Sequence, residues 1–191
     1  TDLIVVGPGL GQHKQTQSLI RKVASTIDKP MVIDADGLNA LVSYLNLLHI
    51  THYTSHITRI LTPHPGEMSR LLGISIKDIQ ANRIKVAKGL AKDYNVTVVL
   101  KGRNTVVADG KGNLYVNKTG NPGMSTAGSG DVLTGMIAAF LGGGLAVFEA
   151  AKYAVYLHGL AGDLAAKEKT QGSMIASDII AKIPQAIKKC I

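Results

Sequence analysis

The chain has 191 residues, of which 46% are hydrophobic and 18% charged. That is a globular balance, and at roughly 150 residues per domain it predicts one domain, residues 1–191, with a sizeable core. No uninterrupted apolar run of about 18 residues occurs, which excludes a membrane-spanning helix and predicts no membrane partner. The sole cysteine, Cys190, excludes an internal disulfide framework and fits a reducing compartment, so a cytoplasmic location is expected. No basic-then-apolar leader opens the sequence. The 21 Lys and Arg against 13 Asp and Glu give a net charge of +8, which favours anionic partners. The cations are scattered, and six Tyr, two Phe and no Trp leave little for base stacking. The expectation is a basic protein with a small anionic ligand and no nucleic acid.

In chain order, Leu3 to Val6 is a short apolar run ending at Gly7 and reads as a buried strand. Leu19, Ile20, Val23, Ala24 and Ile27 fall at helical spacing. Met31 to Ile33 is a second buried strand, and Asp36 to Leu48 reads as a helix through Leu38, Leu41, Val42 and Leu45. The His-rich stretch from His49 to His56 reads as a loop. Arg59 to Leu61 is a third strand, followed by a helix from Glu67 to Leu72 stopped by Gly73. Ser75, with Asp78 three residues on, caps a helix carrying Ile76, Ile79, Ile84, Ala87, Ala91 and Tyr94. Val96 to Leu100 is a buried strand, and Val106 to Ala108 with Leu114 to Val116 forms a hairpin around Asp109–Gly112. Helices follow at Asp131 to Leu141, Val147 to Lys167 and Ser177 to Lys189, the last capped by Ser177 and kinked or shortened by Pro184. Strands alternating with helices at these spacings mean right-handed βαβ units and a mainly parallel sheet.

Ligands of such sheets bind beyond the carboxyl ends of the strands, and four clusters fall there. Gly7-Pro8-Gly9-Leu10-Gly11 leaves a strand and precedes a helix, which suits a close approach of backbone to ligand or a tight turn. Asp34-Ala35-Asp36-Gly37-Leu38-Asn39 offers carboxylates that can hold Mg²⁺ through water; alternatively Asp36 caps the next helix and Asp34 anchors a loop. Thr62-Pro63-His64-Pro65-Gly66-Glu67 is stiffened by two prolines and presents His64, with Pro65 fit for a helix start and Glu67 suited to a metal or to a first helical turn. Lys101-Gly102-Arg103-Asn104-Thr105 suits phosphate groups, or is a solvated turn. His13, His49, His52, His56 and His158 show no ligand spacing.

The sharpest signal is the small-residue loop Asn121 to Asp131, which opens an apolar helix with an acid in its first turn. Amides of Ala127 to Asp131 can converge on an anion. Asp131 can then accept a hydroxyl proton beside a transferring phosphoryl group, or simply interact with the helix dipole. No Gly-Lys-Ser/Thr closes the loop, so it is not a P-loop.

Gly128-Ser129-Gly130-Asp131 resembles the anion-hole and base motif of ribokinase-like sugar and vitamin kinases. Taken in order with the four strand-end clusters and the tail Ile175 to Ile180, it resembles the ADP-dependent NAD(P)H-hydrate dehydratase family over essentially the whole chain. The resemblance implies a ribokinase-like three-layer α/β/α sandwich with a mainly parallel sheet. It implies dehydration of hydrated NADH or NADPH with ADP (or ATP) and Mg²⁺: phosphorylation of the hydrate's hydroxyl, then loss of phosphate. It makes Asp131 the base and gives the transferring phosphate to the amides of Gly128, Ser129 and Gly130. It places Gly9, Gly11, His64 and Asp131 at the hydrated dinucleotide, and Lys101, Gly102, Arg103, Asn104, Thr105 and Gly130 at the adenine nucleotide. Asp36 and Glu67 become candidates for the water shell of Mg²⁺. A homo-oligomer is expected, as is fusion or association with an epimerase domain. Family members also carry an N-terminal part with the first strands and a wall of the substrate site; the chain, beginning at Thr1, is expected to lack it.

Three readings compete with the dehydratase. A vitamin-precursor kinase would use the Asp131 loop equally. A non-catalytic nucleotide-binding module would bind without turnover. A Rossmann dehydrogenase would explain Gly7–Gly11 but leave the Asp131 loop unused.

Overall fold

The computed structural model describes residues 2–49 and 58–190. Among these, strands β1 (Ile4–Val6), β2 (Met31–Ile33), β3 (Arg59–Leu61), β4 (Thr97–Leu100), β5 (Val106–Ala108) and β6 (Leu114–Val116) form one sheet in sequence order. β1 to β4 run parallel, with Val5 opposite Val32 and Val32 opposite Ile60. The hairpin of β5 and β6 closes the sheet antiparallel, with Val99 opposite Val107 and Val107 opposite Tyr115. The helices are α1 (Lys14–Thr26), α2 (Asp36–Ala40), α3 (Pro65–Leu72), α4 (Ile76–Ala81), α5 (Arg83–Tyr94), α6 (Ser129–Gly142), α7 (Val147–Lys169) and α8 (Ala176–Lys188).

The period of two along each strand sorts the side chains into two cores. Met31, Ile33, Leu61, Val98, Leu100, Val106 and Ala108 face α1 to α5. Val32, Ile60, Val99 and Val107 face α6, α7 and α8. Both faces are covered, so the central strands are apolar without alternation, as parallel sheets require. Each fully buried Ile or Leu contributes about 1.5–3 kcal/mol. The result is the expected three-layer α/β/α sandwich. None of the described helices is long and apolar enough to cross a membrane.

Several elements differ from their sequence patterns. Val5 is 43% exposed although it sits in an apolar run, because β1 is an edge strand paired only with β2 among the described residues. The helix expected from Asp36 to Leu48 is two pieces. α2 ends at Ala40, Ser43 turns left-handed at φ 64°, and a 3₁₀ turn covers Leu45–His49. The bent path still buries Leu45 and Leu48, so apolar spacing alone did not distinguish it from a straight helix. The long helix expected after Ser75 is likewise broken at Asn82, where φ is −129°. Ser75 does cap α4, accepting Asp78 N at 3.1 Å. At α8 the N-cap is Ile175 instead of Ser177, with Asp178 Oδ2 accepting Ile175 N at 2.9 Å. α8 also runs through Pro184 to Lys188, held on both sides of the proline by buried Ile179 and Ala186. The predicted loop at 49–56 lies, beyond His49, outside the described residues.

Arg59, read only as a strand residue, is 5% exposed. Its guanidinium donates to the carbonyls of Lys29 (2.7 Å), Thr58 (3.2 Å), Ala24 (3.3 Å) and Ile27 (2.9 Å). It thereby satisfies carbonyls at the end of α1, which would otherwise lack donors. Burial pulls its pKa below the ordinary arginine value, partly offset by Asp28. Arg59→Ala is expected to lower stability by about 2–4 kcal/mol, through buried carbonyls left without donors. Urea unfolding of the two proteins measures the difference.

Candidate functional site

The carboxyl ends of the parallel strands converge because each strand's exit is bonded to its neighbour. Asp34 N donates to Val6 O, Thr62 N to Ile33 O and Lys101 N to Pro63 O. Gly7 follows β1 at φ 129°, and a Cβ there would lie 1.7 Å from Asp34 O. Only glycine allows the two strand ends to meet so closely. Ala35 is held at φ 48° in the turn that follows β2, while its N–H donates to Asp34 Oδ1 at 2.9 Å. A non-glycine residue in that region is strained, and the surrounding bonds hold it there.

Asp36 does not cap α2, whose N-cap is Ala35. Its Oδ2 instead accepts Gly11 N at 2.8 Å, and its Oδ1 accepts Asn39 Nδ2 at 3.4 Å. Asp36 therefore ties the exposed Gly9–Gly11 loop to the end of β2. His64 is the N-cap of α3: its Nδ1 accepts Gly66 N at 3.0 Å and Glu67 N at 3.2 Å. Glu67 Oε2 reaches back to His64 N at 2.7 Å, completing a capping box on the helix that Pro65 begins. These bonds make His64 Nδ1 an acceptor and leave the proton on Nε2, which lies 3.4 Å from Glu67 Oε1. Burial keeps the half-exposed His64 ring below the ordinary histidine range, with Lys101 and Arg70 acting in the same sense against Glu67 and Asp34.

Lys101 turns inward from its loop. Its ammonium lies 2.6 Å from Asp34 Oδ1 and 3.8 Å from Glu67 Oε2. The remaining loop residues turn outward, with Gly102 at φ 123° and Asn104 at φ 54°. Arg83, on α5, donates to Leu100 O at 2.8 Å and to Lys101 O at 3.2 Å and so fixes where this loop leaves β4. No local pattern marks this role of Arg83, because the two carbonyls lie 17 and 18 positions along the chain.

α6 opens at Gly128, which adopts φ 81°. Ser129 N donates to Thr126 O at 3.3 Å. Among the described residues, no acceptor takes the amides of Gly130 and Asp131. These are orphan donors at the positive end of a 14-residue helix. The Asp131 carboxylate stands beside them, exposed and without a partner among the described residues.

α7 holds the segment leading to this loop. Asp163 accepts Gly120 N at 2.9 Å and Asn121 Nδ2 at 3.0 Å. Thr119 Oγ1 donates to Tyr156 O at 2.8 Å, and buried Asn117 donates to Thr119 O at 3.0 Å and Val155 O at 3.3 Å. A cavity of about 1020 Å³ lies between α7 and the loops at 101–105 and 117–126, bounded also by His64, Ser129, Gly130 and His158. Its size suits a nucleotide-scale ligand. Gly9, Gly11, Asp36, Glu67 and Asp131 lie outside its lining.

The sheet order, helical layers and glycine-opened α6 define a ribokinase-like α/β protein. The NAD(P)H-hydrate dehydratase family model matches residues 1–185, and the chain belongs to that family. It is 43% identical over 190 residues to the bifunctional NAD(P)H-hydrate repair enzyme of Thermofilum pendens, covering 98% of the chain and 35% of that protein. It is 42% identical over 161 residues to the ADP-dependent (S)-NAD(P)H-hydrate dehydratase of Neisseria meningitidis, covering 84% of the chain and 54% of that protein. The Bacillus subtilis ADP/ATP-dependent NAD(P)H-hydrate dehydratase, co-crystallised with ATP and Mg²⁺, superposes with a TM-score of 0.86 at 34% identity, covering 98% of the chain and 64% of that structure. The chain thus spans about a third of the bifunctional relative, about half of the single-activity one and about two thirds of the solved structure.

His158, given no role by its sequence context, is 8% exposed beside the α6 opening, with Nε2 3.5 Å from Ser129 Oγ. Burial drives its pKa down to about 4; Lys101 adds to this and a backbone bond at Ser129 opposes it. The unfolded chain therefore binds the proton more readily, so stability is full above about pH 6.5 and falls as the pH drops towards 4. At about 1.4 kcal/mol per pKa unit, the loss approaches 3 kcal/mol. Urea midpoints at pH 7 and pH 4.5 should show this loss in the parent chain and a smaller one in His158→Gln.

Proposed function

We propose that the chain carries out ADP- or ATP-dependent dehydration of NADH hydrate or NADPH hydrate, with Asp131 as the base. The observation that carries this reading is the free Asp131 carboxylate beside the orphan amides of α6. Hydroxide leaves the hydrated ring poorly, whereas phosphate leaves well. The substrate hydroxyl attacks the terminal phosphorus of the nucleotide, its proton passing to the Asp131 carboxylate. The new O–P bond forms as the bridging P–O bond breaks and the shortened nucleotide departs. The C–O bond then breaks with its electron pair going to phosphate, and the neighbouring carbon gives a proton to water as its C–H electron pair restores the double bond.

Of the three amides expected to hold the transferring group, those of Gly128 and Gly130 have no acceptor among the described residues and support that role, joined by Asp131 N, whereas Ser129 N is engaged by Thr126 O at 3.3 Å. The cavity edge at Lys101–Thr105 supports the assignment of the nucleotide to that side. Gly9, Gly11 and His64 are assigned to the hydrated dinucleotide. The Asp36 bond to Gly11 supports a loop built to a fixed shape, and His64 presents its Nε2 proton while Nδ1 is used on α3.

No group of three or more His, Cys, Asp or Glu among the described residues forms a metal-binding cluster. Mg²⁺ commonly keeps its waters and binds through one or two carboxylates and substrate phosphates. Glu67 fits that use, because Oε2 is taken by His64 N while Oε1 has only the longer His64 contact. Asp36 fits it less well, both oxygens being taken by the chain. Bound near Glu67, the ion would screen the phosphates' charge.

The reading carries with it a cytoplasmic location, supported by the lone Cys190, a homo-oligomer, and fusion or association with an epimerase. In a coupled assay with hydrated NADH and ADP or ATP, the full chain should restore NADH absorbance. Asp131→Asn should lower turnover by about 10³-fold or more, while nucleotide affinity stays within a few-fold. Formation of a stable phosphorylated alcohol would mark a kinase. Nucleotide binding without turnover in the parent chain would mark a binding module.

A further inference from the structure

Resting on the dehydratase reading, we propose that the Lys101 ammonium neutralises charge on the transferring phosphoryl group, and that Asp34 and Thr134 are positioning residues that set its place. A cation offered by a nucleotide loop would ordinarily point into solvent. Lys101 instead folds back onto Asp34, whose Oδ1 lies 2.6 Å from Nζ. Asp34 is 1% exposed. Its Oδ1 also accepts Ala35 N at 2.9 Å, and its Oδ2 accepts Thr134 Oγ1 at 2.7 Å. A carboxylate bonded on both oxygens cannot swing, so the ammonium has one place to stand. Thr134 belongs to α6, so the cation is registered against the helix whose first amides form the anion site.

Gly130 shows how near that place is. A Cβ on Gly130 would lie 3.4 Å from Lys101 Nζ and 3.9 Å from Asp34 Oδ2. The ammonium therefore borders the first turn of α6, and with its side chain 17% exposed it faces the cavity rather than a sealed core. Asp34 holds the ammonium directly at 2.6 Å, and Glu67 Oε2 stands at 3.8 Å on a second side, which keeps the ammonium from drifting. Of the nearby guanidiniums, Arg83 is engaged on the Leu100 and Lys101 carbonyls and Arg70 on Asn39 Oδ1 at 2.9 Å, while Arg103 stands exposed on the cavity edge without a carboxylate among the described residues to fix it. A fixed cation beside orphan amides stabilises charge that develops in transfer without reorganising.

The test compares K101M, T134V, D34N and the double variant D34N/K101M in the full chain, reading kcat, nucleotide KM and thermal midpoint. K101M should lower kcat by about 100-fold or more with KM changed by less than about 3-fold. T134V, which keeps the volume and takes one donor from the buried Asp34 carboxylate, should lower kcat by about 10-fold with nucleotide KM changed by less than about 3-fold, and lower the midpoint by several degrees. D34N/K101M, which removes the buried charge that K101M leaves unpaired at Asp34, should recover part of the midpoint relative to K101M while its kcat stays within about 3-fold of K101M. The proposal is overturned if K101M keeps kcat within about 3-fold of the parent, if the D34N and K101M losses multiply, or if activity returns with stability in the double variant. An inactive parent chain would instead overturn the dehydratase reading on which the proposal rests.

Discussion

The Asp34 carboxylate joins three parts of the molecule that the chain makes far apart: it stands at the end of β2, takes an ammonium from the end of β4, and takes a hydroxyl from the second turn of α6. These contacts cross both faces of the sheet, so the two cores are registered against each other at the functional end. Burying an ion pair stabilises a fold little, because desolvation offsets most of the Coulombic attraction. What it supplies here is geometry. Once Asp34 is bonded on both oxygens, the first turn of α6, the exit of β4 and the Glu67 cap on α3 share one frame.

The layers were legible in the sequence because they depend on local pattern. Short β-branched runs bounded by glycine or proline give strands, and the spacing between them leaves room for the crossover helices. The small-residue loop was legible because it is contiguous from Asn121 to Asp131. Misread places share a different origin. Val5 looks buried until the sheet order makes β1 an edge. Leu38, Leu41, Leu45 and Leu48 obey helical spacing, yet a short helix and a 3₁₀ turn bury the same side chains. Such patterns say which residues go inside but not which backbone path carries them.

What the sequence did not show at the site are contacts between residues far apart along the chain. Lys101 is separated from Asp34 by 67 positions, and Thr134 by 100. As one of two cations in a Lys-Gly-Arg segment, Lys101 looks like a phosphate contact or part of a solvated turn, and only the structure turns it inward. Arg59 and Asp163 show the same limit. Each satisfies backbone groups of another element, and a lone charged residue in an apolar stretch does not identify its partner. His64 and Asp36 reverse the lesson: residue types that suggest chemistry spend part of their bonding capacity on a helix end and on a loop.

The arrangement also gives α7 a part beyond walling the cavity. A loop of small residues is conformationally free, and ordering it costs entropy that ligand binding would otherwise supply. α7 removes much of that freedom beforehand. Asp163 holds Gly120 and Asn121, the Tyr156 carbonyl holds Thr119, and buried Asn117 bridges the loop to Val155. Gly159 allows the loop to lie against the helix, since a Cβ there would be 2.2 Å from Thr119 Oγ1. The chain therefore reaches Gly128 already oriented, and the amides beyond it stand in a fixed direction without an acceptor among the described residues. Preorganised donors are effective because no reorganisation is needed as charge moves. The same reasoning accounts for a neutral His158 beside Ser129: a protonated ring there would be a second buried cation near Lys101, without a carboxylate of its own to hold it.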